Sequence, residues 1–344
     1  MNNRFRRAHA LNFALVFIAV FGLLQITAAA QTRARNTPPA AAGLMASLPT
    51  SDAVAQIKIK QLLDEAMPRI LASNPSRLAQ VNASIEEFKT RTGLDARQFD
   101  QVALGAKFIY PSEGVTKVET VALAKGAFSA AAMVAAGRVA TNGKYREEKY
   151  QGKTIYIFTL DQNIQLLGVF DFTIHELAAT PLDTNILALG DPDGVRSVID
   201  ATRAAKRANA ELIALASRDP NAVIGFGANM SEQLVRNIDI GNAPIGADLA
   251  KLRQVYGSVA TTEKDLQLFL AARAVNAEAA KSLGDTLEGL KQFGALLVGR
   301  LSGARGVLAK SALTNLQIVT QANELQIRTA VPQADIGPLM GTGN

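Results

Sequence analysis

Apolar and polar residues alternate from Ala53 to Ile59 (AVAQIKI), the two-residue period of a half-buried strand. The period then lengthens. Leu62, Leu63, Met67, Ile70 and Leu71 share one helical face over 62–71, where Pro68 predicts a kink. Ser76 stands where a cap belongs, ahead of a helix to Thr92 with a stripe of Leu78, Val81, Ile85 and Phe88, and Gly93 stops it. Strands are predicted at 101–109 and 116–127, joined as a hairpin through Pro111–Gly114. Ser129 caps a small-residue helix from Ala130 to Ala140, and Asn142-Gly143 marks a turn. Tyr145 to Phe158 reads as two strands meeting at Gln151-Gly152, followed by strands over Leu166–Ala178 and Ile186–Leu189. The stretch Gly190–Gly194 opens a helix over 195–216, with Val195, Val198, Ile199, Leu212, Ile213 and Leu215 inward and Arg196, Arg203, Lys206 and Arg207 outward.

The pattern then starts again. Asn221-Ala222-Val223 echoes Asp52-Ala53-Val54, a strand through Gly227 leads to a helix near Ser231, and a short helix is expected over Asp248–Val255. The hairpin 256–275 matches 109–128 at a constant offset of 147, which sets Leu123 against Leu270 and Ser129 against Asn276, two N-cap residue types. The longest helix runs from Ala277 to about Leu301, with a seam of Ala280, Leu283, Leu287, Leu290, Gly294, Leu297 and Leu301 taken to cover its own sheet. Asn315–Val331 forms a last hairpin, turning at Ala322-Asn323. Close spacing of the strands favours antiparallel pairing. The expected fold class is α+β, in two related halves at 49–219 and 220–331, each an antiparallel sheet covered by helices, before a loosely held tail at 332–344.

The front of the chain carries an address. Arg4, Arg6 and Arg7 precede an almost wholly apolar run, Phe13–Leu24, and Ala28, Ala30 and Gln31 form a small-residue cleavage pattern. Residues 1–30 read as a secretory signal cut after Ala30; the alternative is an uncleaved anchor. Residues 31–48, rich in Ala, Thr and Pro, read as a disordered leader. The formal charge of +6 drops to +3 without residues 1–30, because three of the 36 basic residues and none of the 30 acidic ones lie there. A mildly basic chain with 6% aromatics and no Trp gives little support to nucleic-acid binding. The absence of Cys excludes disulfides, thiolate metal sites and a Cys nucleophile.

Candidate chemistry is sparse. His175 would share a strand face with Asp171 and Thr173, but no second His or HExxH spacing accompanies it, and an ordinary surface position is the plainer account. Gly225-Phe226-Gly227 follows a strand as a dinucleotide loop would, yet Met230 stands where the third glycine belongs. Asp191 and Asp193 flank Pro192 in a tight loop suited to calcium, though a helix cap by Asp193 explains them more simply. The adjacent pairs Glu86-Glu87 and Glu147-Glu148 point apart, which does not suit paired acid–base work. The basic face of the 195–216 helix suits anionic lipid, although Asp200 offers local ion pairs. No catalytic, cofactor-binding or metal residue is assigned, and no cofactor is expected.

The phrases LPTSDAVAQIKIKQLL, TGLDARQFDQVALGAKF and KYQGKTIYIF, behind an export signal, resemble a group of uncharacterised exported bacterial proteins over about residues 48–331. That resemblance implies a periplasmic or cell-envelope location and transfers no functional residue. The expected function is a non-enzymatic binding or interaction module for an envelope protein or lipid, including contact with a membrane surface. The alternative is an envelope hydrolase gathering Asp171, His175 or Asp191 in a polar cleft.

Overall fold

The computed structural model describes residues 39–336 without 93–94, 113, 142, 167–169, 205–206 and 238–247, and describes backbone alone at 39–42, 88, 91–92, 160–175 and 204. The expected signal segment, with the expected cleavage residues Ala28, Ala30 and Gln31, lies outside the described residues.

Helices pack on a large antiparallel sheet, as the α+β reading expects. Its strands are β1 (Ala53–Ile57), β2 (Phe99–Ser112), β3 (Val115–Gly126), β4 (Tyr145–Tyr150), β5 (Lys153–Leu166), β6 (Phe170–Asp183), β7 (Ile186–Gly190), β8 (Ala222–Asn229), β9 (Leu252–Thr261), β10 (Asp265–Ala274), β11 (Gln317–Gln321) and β12 (Glu324–Pro332). They form one twelve-stranded sheet in the order β11-β12-β10-β9-β8-β1-β2-β3-β7-β6-β5-β4. The expected separate sheets, one per half, are therefore replaced by a continuous one. The join is β1 against β8, in register from Ala53↔Ala228 to Ile57↔Ile224. Two separate sheets would each leave a row of unpaired N–H and C=O groups at the inner edge, and pairing β1 with β8 removes both rows.

The longer helices are α1 (Pro75–Thr92), α2 (Ala130–Ala140), α3 (Pro192–Ala204), α4 (Ala210–Ala216), α5 (Glu232–Asn237), α6 (Ala277–Val298) and α7 (Gly303–Thr314), with a final turn, α8 (Gln333–Ile336). A composite helical run precedes α1, in which the distortion predicted at Pro68 is taken up as a π turn over Leu62–Ala66. The cap of α1 is Asn74, which accepts from Arg77 N–H at 3.1 Å, and not Ser76, because Pro75 occupies the first helical position.

One face of the sheet carries the main core. Val54, Ala103, Val121, Leu123, Ile155, Ile157, Ala188 and Tyr256 meet α3, α4 and the segment Pro39–Ser47. On the opposite face, α2 packs on Phe158, Ala179 and Leu187, and α6 packs on Leu252, Ala272 and Leu325.

Four expectations need correction here. Residues 39–48, expected as disordered leader, form a 3-10 segment kinked at Gly43 (φ 41°), with Leu44, Met45 and Leu48 buried in the main core. The helix expected over 195–216 is broken into α3 and α4. Ala208 N–H donates to Leu48 C=O at 3.0 Å, and Asn209 recaps the chain by accepting from Glu211 N–H. Leu252–Val255 is the start of β9, not helix, since it pairs with β10 from Leu252↔Ala274 onward. The described part of the tail is held: Gln333 donates through its side chain to Thr262 C=O at 2.9 Å, and Ile336 packs beside Ile70 and Leu71.

Candidate functional site

Residues singled out for chemistry are dispersed or already engaged. Asp171 and Thr173 pair with Gln165 and Asn163 along the β5–β6 ladder, and His175 lies beside the register shift between Thr159 and Gln162. The side chains of all three are outside the described residues. Asp191 accepts from Thr120 N–H at 2.7 Å and from the Thr120 hydroxyl at 2.9 Å, tying the start of α3 to β3. Asp193 is not the cap; it sits in the first turn of α3 and pairs with Arg196 at 2.6 Å. Glu147 and Glu148 point to opposite faces of β4. Glu148 takes Arg196 in a two-pronged contact at 2.7 and 2.6 Å, while Glu147 lies 3.8 Å from Arg138. Arg196 hydrogen-bonds to Glu148, which holds the Glu148 carboxyl below its ordinary range. Part of the basic face expected on this helix is thus spent on the protein itself: Arg196 is taken by Glu148, and Arg203 donates to Gln151.

Gly225 and Gly227 have a packing role. A Cβ on Gly225 would stand 2.0 Å from Ala216 C=O, and one on Gly227 would stand 3.1 Å from Leu212 C=O. Both glycines let α4 lie directly on β8, which accounts for the spacing that resembled a nucleotide loop. Among the described residues no cluster of three or more His, Asp and Glu side chains forms, and no helix is long and apolar enough to cross a membrane. One open depression of about 410 Å³ is lined by Lys58, Lys60, Gln61, Asp64, Glu65, Asp100 and Gln101.

A second polar group is fully connected around a buried tyrosine. The Tyr256 ring is fully buried, edge-on to Phe269, with its hydroxyl between Arg218 and Glu324. Arg218 and Arg273 reach the two Glu324 oxygens at 3.0 and 3.2 Å, and Arg273 also meets Glu211 at 2.9 Å. Burial opposes ionisation of Glu324, but hydrogen bonds from Tyr256, Arg218, Gln326 and Arg273 outweigh it and hold the carboxyl at about 2. Burial, reinforced by Glu324, pushes the Tyr256 hydroxyl up. Every member has its partner, so the group clamps β9, β10 and β12 together as a structural device.

The unpartnered feature is the far end of α6 with α7. Asn276 caps α6 by accepting from Ala279 N–H at 2.8 Å. Asp248 then fastens the helix through Ser282 and Thr286, both at 3.1 Å. Ala279, Ala280, Leu283 and Gly284 are buried against β10 and β12, and Leu287 packs beside them. The last polar tie is Lys291, which donates to Leu316 C=O at 2.8 Å. No residue of α6 after Gly284 is buried, and past the Lys291 tie about 10 Å of helix continues to Val298 at 1.5 Å per residue.

The apolar seam does not stop where the cover stops. Leu290, Leu297 and Leu301, expected to face the sheet, are exposed, and they are joined by Phe293 (60% exposed), Leu296 (73%) and Val307. The chain turns back through Gly303 (φ 69°) into α7, whose Leu313 sits 3.8 Å from the Cβ position of Gly294. A Cβ on Gly306 would lie 2.3 Å from Leu301 C=O, so the small residue there allows a tight return. Elsewhere the exposed large apolar residues, such as Val139, Val115 and Val319, are scattered over other elements. Single exposures are ordinary, whereas Leu290, Phe293, Leu296, Leu297, Leu301 and Val307 are concentrated at the far end of α6, the turn after it and the start of α7.

The seam made Leu290, Leu297 and Leu301 visible in the sequence, but Phe293, Leu296 and Val307 were missed. The available signal was a second one: no Asp or Glu occurs from Gly289 through Asn323.

No family model matches the chain, and no curated protein matches it. Among solved structures, crystal form III of TP0453 is similar with a TM-score of 0.43 at 8% identity, covering 86% of this chain and 97% of that one. Crystal form I of TP0453 gives 0.42 at 9% identity, over 85% and 94%. A likeness of that size carries no argument about function.

Proposed function

We propose that this chain is an exported cell-envelope protein that works by contact, as a non-enzymatic binding module whose contact element is the tip formed by α6 and α7. The carrying observation is the exposed group Leu290, Phe293, Leu296, Leu297, Leu301 and Val307, held out on a helix anchored at its other end. Burying one such side chain is worth about 1.5–3 kcal/mol, so a few of them suffice for a specific association. Export rests on Arg4, Arg6, Arg7, the apolar run Phe13–Leu24 and the pattern Ala28, Ala30, Gln31. The hydrolase alternative has less support, because the Asp191 carboxylate is taken up by Thr120.

The two halves are read as related. In each, a strand, a hairpin and a capped helix follow in the same order: β1, β2–β3 and α2, then β8, β9–β10 and α6. Ser129 and Asn276, 147 residues apart, accept from the N–H three residues on, at 3.3 and 2.8 Å. The second half then differs in carrying its helix past the sheet, and that extension is where the contact surface sits.

The test is detergent uptake. Protein recovered after export is run by size exclusion with light scattering in dodecyl maltoside, as wild type and as Phe293→Asp/Leu297→Asp. Wild type is expected to carry bound detergent and the variant to lose most of it, with both unfolding at the same denaturant concentration. Equal detergent uptake by the two proteins contradicts the proposal.

A further inference from the structure

Resting on that reading, we infer that the medium entered by the α6–α7 tip is the interface of an anionic lipid bilayer, with Arg300, Arg305 and Lys310 meeting the headgroups. The apolar tip alone does not choose between a lipid and a protein; its charge does. From Gly289 to Asn323 the chain carries Lys291, Arg300, Arg305 and Lys310 and no acidic residue, although acidic and basic residues are nearly balanced over the whole chain, 30 against 36.

Some exposed basic side chains elsewhere sit on carboxylates, such as Arg146 on Glu176, Arg253 on Glu232, Arg97 on Glu86 and Lys251 on Asp248, while others, such as Lys107 and Lys264, stand without an ion-pair partner among the described residues. Arg300, Arg305 and Lys310 are exposed and have no ion-pair partner among the described residues. All three lie on the turn or on α7, within the same sequence stretch as Leu296, Leu301 and Val307. Leucine and phenylalanine flanked by unneutralised Arg and Lys on a helix end is the composition of an element lying in a bilayer interface. Within that acid-free stretch the positive charge is left for an anionic sheet of headgroups to neutralise; Asp335 of α8, the carboxylate that meets α7, is taken by the Ser311 hydroxyl. The turn is built of small residues, Gly299, Ser302 and Gly303, around Arg300 and Leu301.

Each basic residue near an anionic surface is worth roughly 5-fold in affinity, so three give on the order of 100-fold. The experiment is co-sedimentation of the exported protein with sucrose-loaded vesicles. Phosphatidylcholine vesicles containing phosphatidylglycerol are compared with pure phosphatidylcholine, at low and high salt. Binding is expected to be on the order of 100-fold tighter to the anionic vesicles and to weaken with salt. The triple variant R300E/R305E/K310E is expected to erase that preference while keeping its detergent uptake and its denaturation midpoint. Equal binding to both vesicles, or a preference that survives the triple reversal, overturns the inference. So does a stable dimer formed without lipid and dissolved by Phe293→Asp/Leu297→Asp, which would make a second copy the occupant. In these cases detergent uptake by wild type still stands for the tip as a contact surface, whereas loss of that uptake removes both readings.

Discussion

Replacing Leu48 by alanine is expected to lower the free energy of unfolding by about 2–5 kcal/mol, the range for emptying a close-packed leucine site. Leu48 is fully buried with Leu44 and Met45 between the sheet and helices α3 and α4, and its carbonyl accepts from Ala208 N–H. The side chain therefore lies at the point where an N-terminal segment interrupts what would otherwise be one helix. Val139→Ala serves as the comparison, because Val139 is 77% exposed on α2. A surface truncation of that kind shifts stability by about 0.5 kcal/mol or less. Urea denaturation of the two variants decides: equal losses would mean that residues 39–48 are not part of the core.

The second large effect belongs to Glu324. Its folded value of about 2 lies below the ordinary 4.5, so the unfolded chain takes up the proton first as pH falls. The stabilisation is therefore complete above about pH 5 and is lost as pH drops through the folded value. One pKa unit is worth about 1.4 kcal/mol, so Glu324→Gln is expected to cost on the order of 3 kcal/mol at neutral pH. Glutamine retains hydrogen-bond acceptance but not the charge between Arg218 and Arg273. Measured by urea denaturation, the gap between wild type and variant is expected to shrink by more than half between pH 7 and about pH 3. A gap that stays constant over that range would mean that the ionised carboxylate is not the source of the stability.

Local features were the legible ones. Gln151-Gly152 turns with φ of 48° and 77°, and Ala322 turns with φ of 52°, so both tight hairpins stand where the strand spacing puts them. The caps Ser129 and Asn276 likewise act where the sequence places them. What failed was decided by contacts between distant residues. The β1–β8 join depends on two edges that no local period encodes. The break between α3 and α4 depends on the carbonyl of Leu48, more than 150 residues away in the chain. Leu44, Met45 and Leu48 are too few to establish a period, and Ala- and Pro-rich surroundings imitate a disordered leader. Helix α7 was missed because its Gly and Ala residues draw no apolar stripe.

The proposed contact surface was half legible for a similar reason. The seam of α6 is plain in the sequence, but the place where the sheet stops beneath it is not. Leu283 and Leu297 occupy equivalent seam positions; the first is buried and the second exposed. The difference lies in the extent of β10, β11 and β12, set by the hairpins that follow. The same arithmetic that identifies a core-facing helix thus identifies an apolar tip once the helix outruns its support.

Because the chain contains no tryptophan, Phe293→Trp gives a single fluorescent reporter at that tip. Val319→Trp, on the exposed edge strand β11, is the matched control. On titration with dodecyl maltoside micelles, emission from position 293 is expected to move to shorter wavelength while emission from position 319 stays that of a solvated indole. No shift at 293, or the same shift at both positions, would contradict the assignment of the α6–α7 tip as the surface through which this protein acts.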